Sequence, residues 1–307
     1  MTDLESLYRD LRPYAFAVAY RMLGSVSEAE DIAQDAFMRL QAGSLDGIRS
    51  PKAYIATITT RLALDVLTSS RAQREAYVGP WLPEPLIDRG TSESPEAAAE
   101  IADSLSMAFL VVLETLTPVE RAVFLLRDVF SYEYGEIATI VGKSESNCRQ
   151  LASRARTHIE QSRPRFKPTR QRREELTEQF FAACQHGEMT KLIDLLASDA
   201  IFYGDGGEAG AGIDHPIVGA VAIARLLLGL FRRGEQLGIR MERVDVNGQP
   251  GAMFLDRNGD LINVIGVDVA DGVIGTIRSI VNPEKLRHLG RLSPIGLRSP
   301  GPSVWEE

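Results

Sequence analysis

Cysteine is nearly absent. Cys148 and Cys184 are the only two, far apart and without CxxC spacing, which suggests neither a zinc site nor a disulfide framework. Cys148 falls on an apolar helical stripe and reads as a small core residue. Also missing is any run near the roughly 18 apolar residues of a membrane-crossing helix. The opening MTDLESLYRD lacks a basic segment followed by an apolar one. A cytoplasmic chain with no membrane partner is the expectation. There is no internal repeat or low-complexity block, and 44% hydrophobic with 25% charged residues excludes the disordered and collagen-like classes. The 307 residues allow two or three domains.

Positive charge is in deficit, at a net −8, which would argue against nucleic acid if charge were spread evenly. It is not. Residues 143–173 hold ten Lys or Arg against Glu145 and Glu160, and residues 49–74 hold five against Asp65. Two basic islands in an acidic chain suggest two contacts with phosphate backbone, with solvated helix faces as the alternative for either island.

Apolar spacing marks helices. Leu7, Leu11, Tyr14, Val18 and Met22 share one face of a helix that Gly24 ends. Ser27 and Glu30 read as a capping box, followed by an inward stripe of Ala29, Ile32, Ala33, Ala36, Phe37 and Leu40. Ser50 caps the next helix, with Pro51 at its first position. Thr117, Pro118 and Glu120 start a helix running to about Phe130. A short helix then stops at Gly142, and Ser144 caps a longer one that turns Cys148, Leu151, Ala152, Ala155 and Ile159 inward. Small Ala138, the turn glycine and a polar, basic outward face are helix-turn-helix grammar.

Between these helical stretches lies YVGPWLPEPL, residues 77–86. Three prolines forbid helix, yet Tyr77, Trp81, Leu82 and Leu86 are large and apolar where a free spacer would carry Gly, Ser and charge. Such a segment should dock. Residues 87–103 are acidic and read as a tether. From Glu174 the texture changes to helices followed by alternating runs with turn signals at Asn247-Gly248, Asn258-Gly259 and Asp271-Gly272. That order predicts an α+β domain whose curved sheet wraps a helical layer. The tail from Arg291 reads as loose apart from Trp305.

Residues 14–40 and 50–67, then 116–156, resemble regions 2 and 4 of bacterial extracytoplasmic-function sigma factors, sigma-70 family, in order and spacing. YVGPWLPEPL, the Asp205-Gly206-Gly207 loop and the closing NPEKL are similar to the group of these factors that carries a SnoaL-like (NTF2-like) C-terminal extension. One departure stands out: Glu208 occupies the place where the family's loop usually has a third glycine.

The resemblance implies a multidomain chain: two all-α sigma domains, the region 2 bundle (1–75) and the region 4 helix-turn-helix (105–163), plus an α+β cone (174–290). A linker (76–104), a basic connector (164–173) and a tail (291–307) complete it. It further implies a sigma factor that directs RNA polymerase core to promoters. Asp31, Gln34, Asp35 and Met38 would dock on the β′ coiled coil, with the β flap a second polymerase contact. Lys52, Thr57, Thr60, Arg61, Thr68 and Arg71 would face the opened minus-10 element, although Arg61 equally suits an ion pair with Asp65. Lys143, Ser144, Ser146, Asn147, Arg149, Gln150, Ser153 and Arg154 would face the minus-35 major groove. Trp81, Leu82, Pro83, Leu86, Asp205, Gly206, Gly207, Asn282, Pro283, Lys285 and Leu286 would join linker to extension as a regulatory contact in cis. The expected partners are thus polymerase core, promoter DNA and the chain's own C-terminal domain, in a protein monomeric when free, with no cofactor or metal. Tyr203, Asp205, His215, Asp256 and Asp268 are acid-base candidates if the cone is instead catalytic or ligand-binding. A two-domain repressor using the same helix-turn-helix would leave the first helical domain unexplained.

Overall fold

The computed structural model describes residues 4–42, 50–69, 77, 79–88, 104–162, 168–210, 213 and 215–296. The chain forms two compact units: residues 1–76 with 109–163, and residues 77–108 with 164–307.

The first unit opens with α1 (Leu4–Leu23) and α2 (Val26–Ala42). Gly24, at φ 67°, makes the turn between them in the left-handed region that glycine enters without steric cost. The α2 cap is Ser25, whose hydroxyl accepts the Glu28 N–H at 3.2 Å. This corrects the expected Ser27/Glu30 box: a serine two positions earlier captures the first free amide, so Ser27 already lies inside the first turn. In α3 (Pro51–Ser69) the Ser50 hydroxyl accepts the Ala53 N–H at 3.2 Å, as the sequence implied. Ala15, Ala33, Ala36, Phe37, Leu40 and Ile55 form the shared core of these helices.

After α4 (Met107–Glu114), α5 (Pro118–Phe124) starts with both bonds of the Thr117/Glu120 box in place. It does not continue as α-helix to Phe130. Residues Leu125–Val129 widen into a π-helical turn, closed by Phe130 N–H donating to Leu125 O at 3.0 Å, and Ser131 at φ 59° ends it. Then come α6 (Tyr134–Val141), Gly142 at φ 66°, and α7 (Glu145–Ser162), capped by Ser144, which accepts the Asn147 N–H at 3.2 Å. Cys148, Leu151, Ala152, Ala155 and Ile159 are all buried.

Both helical segments share one core: Ala56 of α3 packs among Val123, Leu126, Tyr132, Ile137, Ile140 and Cys148. Polar bonds cross the same junction. Tyr14 and Tyr132 hydroxyls meet at 2.8 Å, and the buried Arg121 donates to Met22 O at 2.6 Å and to Glu114 at 2.7 Å.

The second unit has α8 (Arg170–His186), α9 (Met189–Leu195), β2 (Leu196–Asp205), β3 (Ile217–Val218), α10 (Ala220–Leu237), β4 (Arg240–Val246), β5 (Gln249–Leu255), β6 (Leu261–Ala270), β7 (Val273–Ile280) and α11 (Pro283–Leu286). With β1 (Ile87–Asp88), the strands make one sheet in the order β1-β4-β5-β6-β7-β2-β3. Among these strands of the described residues only β2 and β7 pair in parallel, the other neighbours being antiparallel. Helices α8 to α10 cover one face through Phe180, Phe181, Leu192, Ile223 and Leu227, which pack with Phe202 and Ile277 of the sheet. The α+β expectation therefore holds.

Two boundaries differ from expectation. Thr169 caps α8, so the last residues of the basic run are helical: Arg170 pairs with Glu174 and with Asp245, each at 2.7 Å, and Arg172 pairs with Glu175 at 3.3 Å. The start of the tail is not loose. Leu261 N–H donates to Arg291 O and Ser293 N–H to Leu261 O, both at 2.8 Å, and Ser293 is buried against Asp256. Trp305 lies outside the described residues. No helix among the described residues is long and apolar enough to cross a membrane.

Candidate functional site

On α2, Asp31, Gln34, Asp35 and Met38 are all exposed opposite the buried stripe. Met38 is 51% exposed, an apolar side chain amid acids. Spacings of three and four residues place them on one helix face.

On α3 the expected outward row is only partly present. Lys52 is exposed and stands 4.7 Å from the Tyr14 ring centroid. Thr57 and Thr68 donate their hydroxyl protons to Ala53 O and Leu64 O, each at 2.8 Å. Thr60 corrects the reading: it is 0% exposed and lies on the buried stripe of Ala56, Ala63 and Leu67, not on the outward face. Arg71 lies outside the described residues. Arg61 pairs with no carboxylate among them. Its Nε donates to Ile140 O at 3.0 Å and its Nη2 to Thr139 O at 2.9 Å, the carbonyls that end α6. Helix C-termini carry unpaired carbonyls and partial negative charge, which a guanidinium satisfies directly.

In the turn before α7, Lys143 and Ser144 are exposed, as are Ser146, Asn147, Arg149, Gln150, Ser153 and Arg154 on the helix itself. Arg149 bonds Glu145 at 2.8 Å and lies 4.8 Å from the Tyr134 ring, while Arg154 reaches Glu120 at 3.5 Å.

The linker is clasped within the second unit. Asp205, at the end of β2, is buried and accepts from three groups: the Tyr77 hydroxyl, the Leu82 N–H at 2.8 Å and Lys285 Nζ at 2.6 Å. Lys285 also donates to Leu82 O at 2.5 Å, and its ammonium sits 4.6 Å from the Tyr77 ring and 4.4 Å from Trp81. The cation is thus enclosed by one carboxylate, one carbonyl and two aromatic faces. Asn282 donates to the Tyr77 hydroxyl at 2.7 Å. Gly207 is required here twice over: its φ is 57°, and a Cβ would lie 2.6 Å from Asn282 Nδ2. Leu82 and Pro83 are buried, Trp81 and Leu86 half-buried, Gly206, Pro283's neighbour Asn282 and Leu286 buried. Glu208 is exposed, so the departure from the family's loop falls outside this packed part.

Sequence reasoning missed several members. In the sequence Tyr77 reads as apolar bulk, and only the fold shows it as a hydroxyl donor. Asn247 reads in the sequence as a turn residue only, yet it accepts the Leu86 N–H on Oδ1 at 3.0 Å, donates its own N–H to Leu86 O at 2.7 Å and donates Nδ2 to Leu105 O at 2.9 Å. His288 donates to Pro85 O at 2.9 Å. Ile87 and Asp88 then add an edge strand to β4.

The Tyr77 phenol is held well above the usual tyrosine range, by burial first and then by the charge of Asp205. A proton-bound form favoured by the fold stabilises below the unfolded value of about 10 and loses that contribution as pH rises through the folded value. In an alkaline absorbance titration, subtracting Tyr77→Phe from wild type should therefore reveal one tyrosine that stays protonated well past pH ~10. Ionisation of that residue at an ordinary pH would contradict the docked geometry.

The acid-base candidates do not form a constellation. Asp205 is saturated by the clasp. Asp256 accepts Ser293 Oγ at 2.7 Å and the Asn258 and Asp260 amides at 2.8 and 3.0 Å, which makes it a turn organiser; its carboxyl is held low by these bonds, Ser293 foremost. Asp268 lies mid-strand and pairs with Arg278, whose guanidinium burial lowers to about 10. His215 is exposed and Tyr203 half-buried. A groove of about 550 Å³ opens beside Ile193, Leu196, Val218, Val221 and Arg225, and none of the five candidates lines it. Among the described residues no three His, Cys, Asp or Glu side chains gather as a metal would require.

Residues 7–73 match the Sigma-70 region 2 family and residues 106–159 the Sigma-70 region 4 family. The chain is 33% identical over 292 residues to the ECF RNA polymerase sigma factor SigJ of Mycobacterium tuberculosis, covering 91% of this chain and 92% of SigJ. It is 26% identical over 312 residues to the ECF RNA polymerase sigma factor SigG of the same species, covering 91% and 80%. The crystal structure of the M. tuberculosis extracytoplasmic function sigma factor SigJ superposes with a TM-score of 0.74 at 32% identity, covering 94% of this chain and 99% of that one.

Proposed function

The chain belongs to the extracytoplasmic-function sigma factors of RNA polymerase, proteins that bind polymerase core and promoter DNA to start transcription, and from that premise we propose that its third domain governs initiation by gripping the linker. The α2 face of Asp31, Gln34, Asp35 and Met38 docks on the β′ coiled coil, where acidic charge steers association and the methionine adds contact area. Lys52, Thr57, Arg61 and Thr68 of α3 serve the minus-10 element, and α7 enters the minus-35 major groove while the helix-turn-helix meets the β flap. Arg61 serves two acceptor sets: Nε and Nη2 hold the α6 carbonyls, which leaves the exposed Nη1 donors for a DNA phosphate. The extension acts by binding, not by catalysis, in a protein monomeric when free.

The observation that carries this reading is the clasp. The segment joining the two DNA-reading parts of the chain is held by Asp205 and Lys285 of the third domain. Such a grip regulates only if gripped and released states differ by a few kcal/mol, because tighter closure silences the factor. Trp81→Ala should change promoter-specific initiation by core polymerase several-fold, measured in vitro on a promoter selected from random DNA. Equal initiation together with unchanged compactness in solution would sink the proposal.

A further inference from the structure

The exposed residues of α7 fall into a central row and two anchored flanks. At about 100° per residue, positions 146 and 150 both lie about 160° from the buried Cys148, pointing directly away from the core. Positions 145, 149 and 156 lie on one side, about 60–100° from Cys148, and positions 147, 154 and 158 on the other. The contacts agree with this division. On the first flank Arg149 is tied to Glu145 and to the Tyr134 ring, and Arg156 bonds Asp128 at 2.8 Å. Gly135 makes that side close-fitting, since a Cβ there would lie 3.2 Å from Glu145 Oε1. On the second flank Arg154 reaches Glu120 and His158 bonds Thr115 at 2.7 Å.

The central row is different. Ser146 is engaged with Ser144 at 3.0 Å, and Thr157 donates to Ser153 O at 3.1 Å. Gln150 is exposed and its amide makes no hydrogen bond among the described residues. In the N-terminal half of the helix, the part that enters a groove first, it is the one long side chain of the row, with a donor and an acceptor side by side; Gln161 continues the row only in the last turn. Adenine presents the complementary pair in the major groove, an N7 acceptor beside an N6 donor, and a glutamine amide satisfies both at once. Flank arginines held sideways against their own domain suit the phosphates on either wall of the groove, contacts that position the helix without reading sequence.

We infer that Gln150 is the base-reading residue of α7, with an adenine as its target, and that Arg149 is a phosphate-positioning residue fixed by Tyr134 and Glu145. The inference rests on the reading of α7 as the minus-35 element's reader. Its test is binding of the holoenzyme, full chain on core polymerase, to promoters with the upstream element randomised, at several salt concentrations. Gln150→Ala should erase an A·T preference at one position, a loss of about 5- to 150-fold in discrimination, with the salt slope unchanged. Arg149→Ala should weaken all sequences alike and lower the salt slope by about 1. If Gln150→Ala keeps the preference while Arg149→Ala loses it, the assignment is overturned. If wild type shows no preference anywhere in the upstream element, the promoter-reading role of α7 itself fails. Both side chains are exposed, so folding does not confound the comparison.

Discussion

Lys285→Met is expected to cost about 3–5 kcal/mol of the stability of the clasp, because it strands the Asp205 carboxylate in a site from which water is excluded. The Asp205 side chain is 0% exposed and that of Lys285 8%, so screening gives little relief. Two donors remain for Asp205, the Tyr77 hydroxyl and the Leu82 amide, but neither carries a compensating charge. Adding Asp205→Asn should recover most of the loss, since the pair is then neutral and the asparagine oxygen still accepts the Leu82 amide. Urea unfolding followed by Trp81 fluorescence measures both, in a Trp305→Phe background that leaves Trp81 as sole reporter. A single-variant cost below about 1 kcal/mol, the value of an ordinary exposed pair, would show that the clasp is held by its apolar contacts instead.

Arg121→Met should loosen the helix-turn-helix from the first three helices, at a cost of about 2–3 kcal/mol. The guanidinium is 3% exposed and joins Met22 O of α1 to Glu114 of α4. Methionine keeps much of the volume and loses both bonds, leaving a buried carbonyl unpaired. Energy transfer between dyes on Met38→Cys and Ser153→Cys reads the result: a longer, broader distance in the Arg121 variant. The native thiols do not interfere, because burial pushes Cys184 up to about 12 and raises Cys148, and both are inaccessible. An unchanged distance would assign the junction to Tyr14, Tyr132 and Arg61.

Local order was legible in the sequence. Helices α1 to α3, α6 and α7 and the start of α5 were readable from apolar spacing and caps, with Thr117, Ser50, Ser144 and Gly142 acting where capping chemistry puts them, whereas α4 had no reading and α5 ends earlier than its pattern implied. Where two serines competed, the sequence could not say that Ser25 rather than Ser27 captures the first amide. Thr60 failed for a related reason: a threonine presents a methyl as well as a hydroxyl, and α3 is apolar around most of its circumference. The docking of Trp81 was readable because bulk among prolines has no use in a free spacer. Its partners were not readable from spacing. Asp205 and Lys285 lie 80 positions apart, and neither Asn247 nor Arg121 differs in sequence from an ordinary turn or surface residue. Those roles exist only once the sheet and the helix-turn-helix bring distant positions together.

The clasp also has a clock. Lys285 follows Leu82 by 203 positions, so at about 5–20 residues per second the linker leaves the ribosome roughly 10–40 s before its partner is made. Every newly synthesised molecule therefore passes once through an ungripped form in which α1 to α7 are complete. The gripped state is the last one built, and a chain interrupted before Lys285 never reaches it.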